Sequence, residues 1–175
     1  MGYDRDLLIL IIVGGVLTFG SYYYAYQSGK GMTLWGGVPP DQRIYYTISG
    51  SLAGLVFLYQ FYYYIFYREK KSNEFKGLVY TAMILITFAS ALWVPATFLG
   101  LTNPNYKYIS IFVLLLVSIG SILLLLATAM EKEDKRDKRS RKNAEWGLAI
   151  AAGVIFAFHV TFFDLLSWGP AYLEN

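Results

Sequence analysis

The residues that could carry chemistry are few, and they lie within apolar stretches of the chain. The only His is His159, Asp164 follows five residues later, and Gln60 lies deep in another apolar stretch. Polar side chains in hydrocarbon are costly unless they face a partner or a wet cavity, so each is a candidate functional residue. Five residues turn about 140° around an α-helix, which predicts that His159 and Asp164 are not a direct acid–base pair.

The residue types that are missing exclude several kinds of chemistry. The chain has no Cys and one His, whereas structural zinc, iron–sulfur clusters and thiol nucleophiles need Cys or several His residues. The Gly-rich segment 28–31 lacks the spacing of a nucleotide-binding loop. We therefore predict no catalytic residues, no metal, no cofactor, no nucleic-acid partner and no enzymatic activity.

The composition predicts a membrane protein. Of the 175 residues, 56% are hydrophobic, which is more apolar surface than a soluble domain of this size can bury. Five continuous apolar stretches are each long enough to cross a bilayer as a helix of about 20 residues. They cover residues 7–26, 44–67, 77–101, 108–130 and 146–168. The predicted fold is an all-α membrane protein, a bundle of five transmembrane helices forming one domain over residues 1–175.

The distribution of Lys and Arg predicts the orientation of this bundle. With five spans, one side of the membrane receives 12 of the 15 basic residues and the other side receives Lys30, Arg43 and Lys107. Cytoplasmic loops retain Lys and Arg during insertion, so we predict a cytoplasmic N-terminus and a C-terminus outside.

The charged segment 131–145 is then a cytoplasmic loop. Its acidic residues precede basic ones by four positions, which favours a solvated helix that extends the fourth span by about two turns. The segment either anchors the topology or binds anionic lipid headgroups or a partner protein.

This orientation places several unusual residues in the outer half of the membrane. They are Trp93, Pro95, His159 and Asp164, and they lie beneath the long loop 27–43. Aromatic walls, few polar groups and a proline-kinked third helix are typical of a ligand pocket. The alternatives are that Asp164 reaches water from its helix end, that His159 is a neutral imidazole bonded to a neighbouring helix's hydroxyl, and that the loop is a long turn rather than a lid.

Small residues spaced by four predict close contacts between helices. Gly50 and Gly54 form one such pair, and Ala149 and Gly153 form another. Side chains this small let two helix backbones approach closely, so we expect both pairs at helix interfaces.

The chain resembles the TspO/translocator protein family. The matching features are the five spans, Gly29-Lys30-Gly31 with Trp35 in the first loop, Pro39-Pro40, Trp93-x-Pro95-x-x-Phe98 in the third helix and Leu114–Ser118 in the fourth. The resemblance implies a membrane pocket for tetrapyrroles, sterols or similar flat ligands, roofed by the first loop and lined by Trp35, Trp93, Pro95 and Phe98. The chain departs from the family pattern at Ala91, where a second Trp is usual, in its second helix, in its charged fourth loop and at its C-terminus.

Together these features predict a multi-pass protein of a cell membrane or an organelle inner membrane. We predict that it binds a flat hydrophobic ligand, such as a tetrapyrrole, a sterol or a lipid, in an outer-half pocket. The predicted ligand contacts are Trp35, Trp93, Pro95, Phe98, His159 and Asp164. The alternative is a non-catalytic accessory subunit that packs around a larger membrane complex. Its predicted partners are membrane lipids, a hydrophobic small molecule, and other membrane subunits or further copies of itself.

The predicted orientation can be checked with single cysteines, because the chain has no Cys of its own. In intact cells, Ser140→Cys in the charged loop should resist a membrane-impermeant maleimide, whereas Asn105→Cys in the opposite loop should react. Lysed cells should label at both positions. Labelling of Ser140→Cys in intact cells would show that the orientation is opposite to the predicted one.

Overall fold

The computed structural model describes residues 4–67, 73–130 and 141–174, and in these ranges the chain is helical with short turns and no strand. Most of the charged segment 131–145, and with it the predicted extension of the fourth span, lies outside the described residues. The α-helices are α1 (Arg5–Gln27), α2 (Arg43–Tyr62), α3 (Asn73–Thr102), α4 (Lys107–Met130), α5 (Arg141–Phe158) and α6 (Gly169–Glu174).

Local signals set the helix ends. Asp4 caps α1 by accepting a hydrogen bond from the amide of Leu7, and it also accepts one from the hydroxyl of Tyr80 on α3 at 2.6 Å. Between α3 and α4, the side chain of Asn103 accepts from the amide of Asn105, and Pro104 starts a single 3₁₀ turn. This tight connection makes α3 and α4 an antiparallel pair.

Two helices change their winding within the bundle. α2 continues as a π-helix over Tyr63–Tyr67, and α5 continues as a π-helix over His159–Trp168 before α6. A π-helix closes hydrogen bonds between residues five apart rather than four, and it is rare outside functional sites. Neither segment is predicted from the residue pattern, and the second one changes the geometry of the site described below.

Four helical stretches are long and apolar enough to cross a membrane. They are Arg5–Gln27, Lys76–Thr102, Pro104–Met130 and Ala144–Glu174. The second predicted span is not among them, because α2 carries Tyr, Thr, Ser, Gly and Gln among its apolar residues. The all-α prediction is therefore confirmed, and membrane-spanning potential is found for four of the five predicted spans.

The five long helices pack in a fixed order. α1 packs on α3, α3 on α4, α4 on α5 and α5 on α2, whereas α1 and α2 hardly touch each other. The seam between α1 and α2 is thus the weakly closed side of the bundle. Only three residues of α1 are buried, namely Leu7, Gly14 and Ala25.

Hydroxyl groups join the helices inside the bundle. Several such contacts lie within hydrogen-bonding distance, and the examples below have oxygens 2.7–3.4 Å from their partners. They are Thr18 with the carbonyl of Thr87, Tyr64 with Thr128, Thr97 with Ser110 and Ser118 with Thr161. Because these groups bond to one another, the buried helix faces tolerate Ser and Thr without unsatisfied hydroxyls.

Glycines allow close helix contacts at some of the expected positions and not at others. A Cβ on Gly153 would lie 2.6 Å from the Nε2 of Gln60, so the predicted close approach occurs between α5 and α2. Gly54 has no neighbouring atom within 4 Å of such a Cβ, so the prediction that it packs against a helix is wrong. Gly54 instead borders a cavity.

A close contact between α3 and α4 at Gly120 predicts a stability difference. In Gly120→Ala the new Cβ would lie 2.9 Å from the Cβ of Leu85 and 3.0 Å from the carbonyl oxygen of Ala82, neither of which can rotate away. Overpacking costs about 1–3 kcal/mol, which outweighs the roughly 0.5–1 kcal/mol that Ala gains over Gly in a helix. We expect a lower unfolding temperature by tryptophan fluorescence in detergent.

Gly20→Ala on α1 is the matched control, because a Cβ there meets no atom within 4 Å. It should keep or raise the unfolding temperature. Equal effects of the two substitutions would contradict the described α3–α4 contact.

Candidate functional site

Two neighbouring cavities lie at the end of the bundle that carries the loop between α1 and α2. The larger, here called the loop chamber, has a volume of about 450 Å³, and the smaller, the deep chamber, has about 200 Å³. They share five wall residues, which come from α1, α2, α3 and the π-helix after α5: Tyr22, Gly50, Trp93, His159 and Asp164. The loop chamber alone falls within the size range of small-molecule sites, about 300–1,000 Å³.

Aromatic rings form much of the wall of the loop chamber. Trp93 lies between Tyr22 and Trp168, with ring centroids 5.7 Å and 5.1 Å away. Trp35 and Tyr46 complete the aromatic part of the wall. Three of the four tryptophans of the chain therefore border one cavity. Flat rings at such angles offer faces and edges to a planar ligand.

His159 and Asp164 are neighbours, contrary to the expectation from the sequence. The Nε2 of His159 lies 3.5 Å from an Oδ1 of Asp164. The expectation assumed α-helical winding, in which residues five apart diverge, whereas the π-helix of His159–Trp168 places such residues above one another. Both side chains border both chambers.

A serine on α2 holds the other side of the imidazole. The Oγ of Ser49 lies 2.8 Å from the Nδ1 of His159, which matches the interpretation of a histidine bonded to a neighbouring helix's hydroxyl. Ser49, His159 and Asp164 are residue types of a nucleophile, a base and an acid. Ser49 does not line either chamber, so in this geometry its hydroxyl orients the imidazole rather than facing a bound molecule.

A metal site in a protein needs several His, Cys, Asp or Glu side chains close together. Within residues 4–67, 73–130 and 141–174, no three His, Asp or Glu side chains come together as a metal site. The polar chemistry of the chambers is therefore that of His159, Asp164 and the hydroxyl and indole groups around them.

The loop between α1 and α2 packs on the end of the bundle and forms one side of the loop chamber. Its 3₁₀ turn, Gly31–Trp35, contributes Gly31, Leu34 and Trp35 to the wall. The indole N–H of Trp168 donates to the carbonyl of Leu34 at 2.9 Å, which joins the loop to the π-helix. The loop is here called the cover because it forms this side of the chamber, and its role as a lid stays a prediction.

Two loop residues explain why the cover fits closely. Gly36 has φ of 56°, and a Cβ there would lie 3.2 Å from the Cβ of Tyr172, so glycine suits both the backbone and the contact. Val38 is buried in a small cluster with Leu114, Trp168 and Tyr172. The loop thus has its own apolar anchor on α4 and α6.

The residues predicted from the sequence divide into two groups. Trp35, Trp93, His159 and Asp164 all border the loop chamber. Pro95 and Phe98 do not border either chamber. Pro95 is exposed, because two residues turn an α-helix by about 200° and carry it to the face of α3 opposite Trp93. Phe98 lies beneath the ammonium of Lys30, 5.6 Å from it.

Gln60 is not part of the site, whereas three aromatic residues that were not predicted as ligand contacts are. Gln60 is fully buried between α2 and α5, and it is not a wall residue of these chambers. The residues not predicted as ligand contacts are Tyr22, Tyr46 and Trp168, which all border the loop chamber. Tyr22 and Tyr46 belong to Tyr-rich helix ends that are also typical of a membrane interface, and Trp168 needs the π-helix to face the loop.

One wall residue carries an unsatisfied donor. The indole nitrogen of Trp93 is buried and has no hydrogen-bond partner in the described part of the chain. Buried N–H groups are almost always paired in folded proteins, so this one is an exception among the wall residues.

Comparisons of the chain with protein-family models, with curated proteins and with solved structures find no match. The resemblance to the TspO/translocator protein family therefore stays a prediction from the sequence.

The bond between Trp168 and the loop predicts protection from protease. Trp168→Phe removes the donor to Leu34, so in detergent trypsin should cleave after Lys30 several times faster than in the unchanged protein. Trp146→Phe is the control, because its indole N–H donates at 2.9 Å to the carbonyl of Thr128, away from the loop. Mass spectrometry of the Lys30–Gly31 cleavage gives the rates. Equal rates in the two variants would show that the Trp168 bond does not hold the loop.

Proposed function

We propose that this chain is a multi-pass membrane protein that binds a flat hydrophobic ligand in the loop chamber. The observation that carries the proposal is the cavity of about 450 Å³ with three tryptophans and two tyrosines in its wall and a loop packed over it. The proposed ligand class is that of tetrapyrroles, sterols or similar lipids, as the resemblance to the TspO/translocator protein family implies. The protein acts by binding and not by catalysis.

The exposed surface of the helices supports a lipid environment. Large apolar side chains are exposed along α1 and α2, among them Val16, Phe19, Leu52, Leu55 and Leu58. A soluble protein rarely exposes contiguous apolar surface of this kind, whereas lipid requires it.

The fifth span in this proposal is α2 with its π-helical continuation. Together they run without interruption from Arg43 to Tyr67, which is longer than the about 20 residues that cross a bilayer. The Ser, Thr and Gly residues that make α2 less apolar include Thr47, Gly50 and Gly54, which border the chambers rather than requiring lipid contact. With five spans, the basic residues put the N-terminus in the cytoplasm and the chambers in the outer half of the membrane.

The chemistry of the wall supports a ligand with a flat apolar body and a few polar atoms. The rings of Tyr22, Trp93 and Trp168 offer stacking and edge contacts to a planar molecule. Polar atoms of the ligand would face His159 and Asp164, which border both chambers.

The test is a cavity-filling substitution. In Gly50→Leu the new side chain starts from a wall position shared by both chambers, where a Cβ would only make ordinary contact, 3.6 Å from the His159 ring. Etioporphyrin, a tetrapyrrole without carboxylate groups, should quench tryptophan fluorescence of the protein in phosphatidylcholine nanodiscs, and cholesterol should compete. We expect Gly50→Leu to weaken quenching at least tenfold, because the added side chain occupies ligand volume.

Two further variants make the result specific. Gly20→Leu on α1 adds the same side chain where no atom lies within 4 Å, and it should bind normally. Trp146→Phe removes the tryptophan that does not border the loop chamber, and in this background the quenching should become more complete. No quenching in any variant, with other subunits co-purifying in mild detergent, would overturn the proposal in favour of an accessory subunit.

A further inference from the structure

The Asp164 carboxylate is a charged group in a wall that is otherwise mostly aromatic. It borders both chambers, and its side chain is 33% exposed, so it is accessible from the cavity. Among the described residues, the basic side chain beside it is the imidazole of His159, whose Nε2 lies 3.5 Å away, longer than the usual 2.7–3.2 Å of an N–H···O bond. A carboxylate in apolar surroundings is costly unless it is closely paired, and this one is loosely paired.

The cationic side chains near this end of the bundle do not reach the carboxylate. In the described ranges, no Lys or Arg borders either chamber. The guanidinium of Arg43 lies over the ring of Trp35 at 5.5 Å, and its Nε donates to the carbonyl of Val38. The ammonium of Lys30 lies over the ring of Phe98, and that of Lys107 donates to the carbonyl of Leu173. The cationic groups of Lys30, Arg43 and Lys107 thus contact aromatic rings or backbone carbonyls rather than Asp164.

The aromatic wall is complementary to positive charge. The faces of Trp and Tyr rings carry negative potential, and several of them around one volume bind quaternary ammonium groups. Here the rings of Tyr22, Trp35, Trp93 and Trp168 surround a chamber that also holds a carboxylate. The same chamber opposes a negatively charged group, because such a group would approach Asp164 without a cation to balance it.

We propose that the chambers select flat hydrophobic ligands that carry a positively charged nitrogen, which lies between the aromatic rings and pairs with Asp164. This inference rests on the proposed function and specifies the class of ligand. It disfavours ligands whose polar group is a carboxylate, such as an acidic tetrapyrrole, and favours an amphiphile with an amine or a quaternary ammonium.

The experiment compares three flat tricyclic probes of similar size and different charge. They are 10-methylacridinium, anthracene and 9-anthracenecarboxylate, which are cationic, neutral and anionic. Affinity is measured by quenching of tryptophan fluorescence at pH 7.5 in phosphatidylcholine nanodiscs, with empty nanodiscs correcting for partition into lipid. We expect the cation to bind about tenfold more tightly than the neutral probe, and the anion to bind more weakly than both.

Substitutions locate the source of the preference. Asp164→Asn keeps the shape of the side chain and removes its charge, so the preference for the cation should fall to the smaller one that the rings provide, and the anion should no longer bind more weakly than the neutral probe. Asp164→Glu should retain the full preference for the cation. Asp41→Asn removes an exposed acidic side chain from the loop, outside both chambers, and should change nothing. Thermal unfolding checks that the variants remain folded.

The outcomes separate this inference from the proposed function. Equal binding of the three probes, tighter binding of the anion, or a cation preference that is undiminished in Asp164→Asn would each overturn the inference and leave the cavity as a binding site. Absence of binding by every probe, including anthracene, would overturn both.

Discussion

The i→i+5 hydrogen bonding of His159–Trp168 is the constraint on which the site depends. With α-helical winding, His159 and Asp164 would point in different directions. The wider turn brings them to 3.5 Å, and the same segment ends at Trp168, whose indole reaches the loop. The π-helix thus places His159 beside Asp164 in the cavity wall, and it carries Trp168, which binds the loop. The hydroxyls of Ser49 and Thr161 connect this segment to the helices beside it.

The loop and the end of the chain stabilise each other. Val38 is buried against Trp168 and Tyr172, and the hydroxyl of Tyr172 donates at 2.7 Å to the carbonyl of Thr97. Trp168 and Tyr172 stack, with centroids 4.6 Å apart. The cover of the loop chamber is therefore continuous with the packing of α3 and α6. Order in the loop comes from these buried contacts, since the loop itself has only a short 3₁₀ turn.

The sequence predicted the parts of the structure that depend on average polarity. The bounds of α1 and α4 follow from uninterrupted apolar runs, and Trp93, His159 and Asp164 stood out as aromatic or polar residues within such runs. What failed depends on helical phase. The family resemblance implies that Pro95 and Phe98 line the pocket with Trp93, although the turn of α3 directs them elsewhere. The π-helix has no signature in the residue pattern of this chain, so the His159–Asp164 contact could not be predicted.

The seam between α1 and α2 has a consequence for how the chambers would fill. Tyr22 and Gly50, which stand on the two helices beside the seam, are also shared wall residues. In a bilayer this side of the bundle would face acyl chains, so an apolar ligand would enter the chambers from the lipid phase without first crossing water. Occupancy would then follow the mole fraction of the molecule in the lipid phase. Two compounds with identical contacts to the rings would saturate the protein at very different aqueous concentrations, in proportion to how strongly each one partitions.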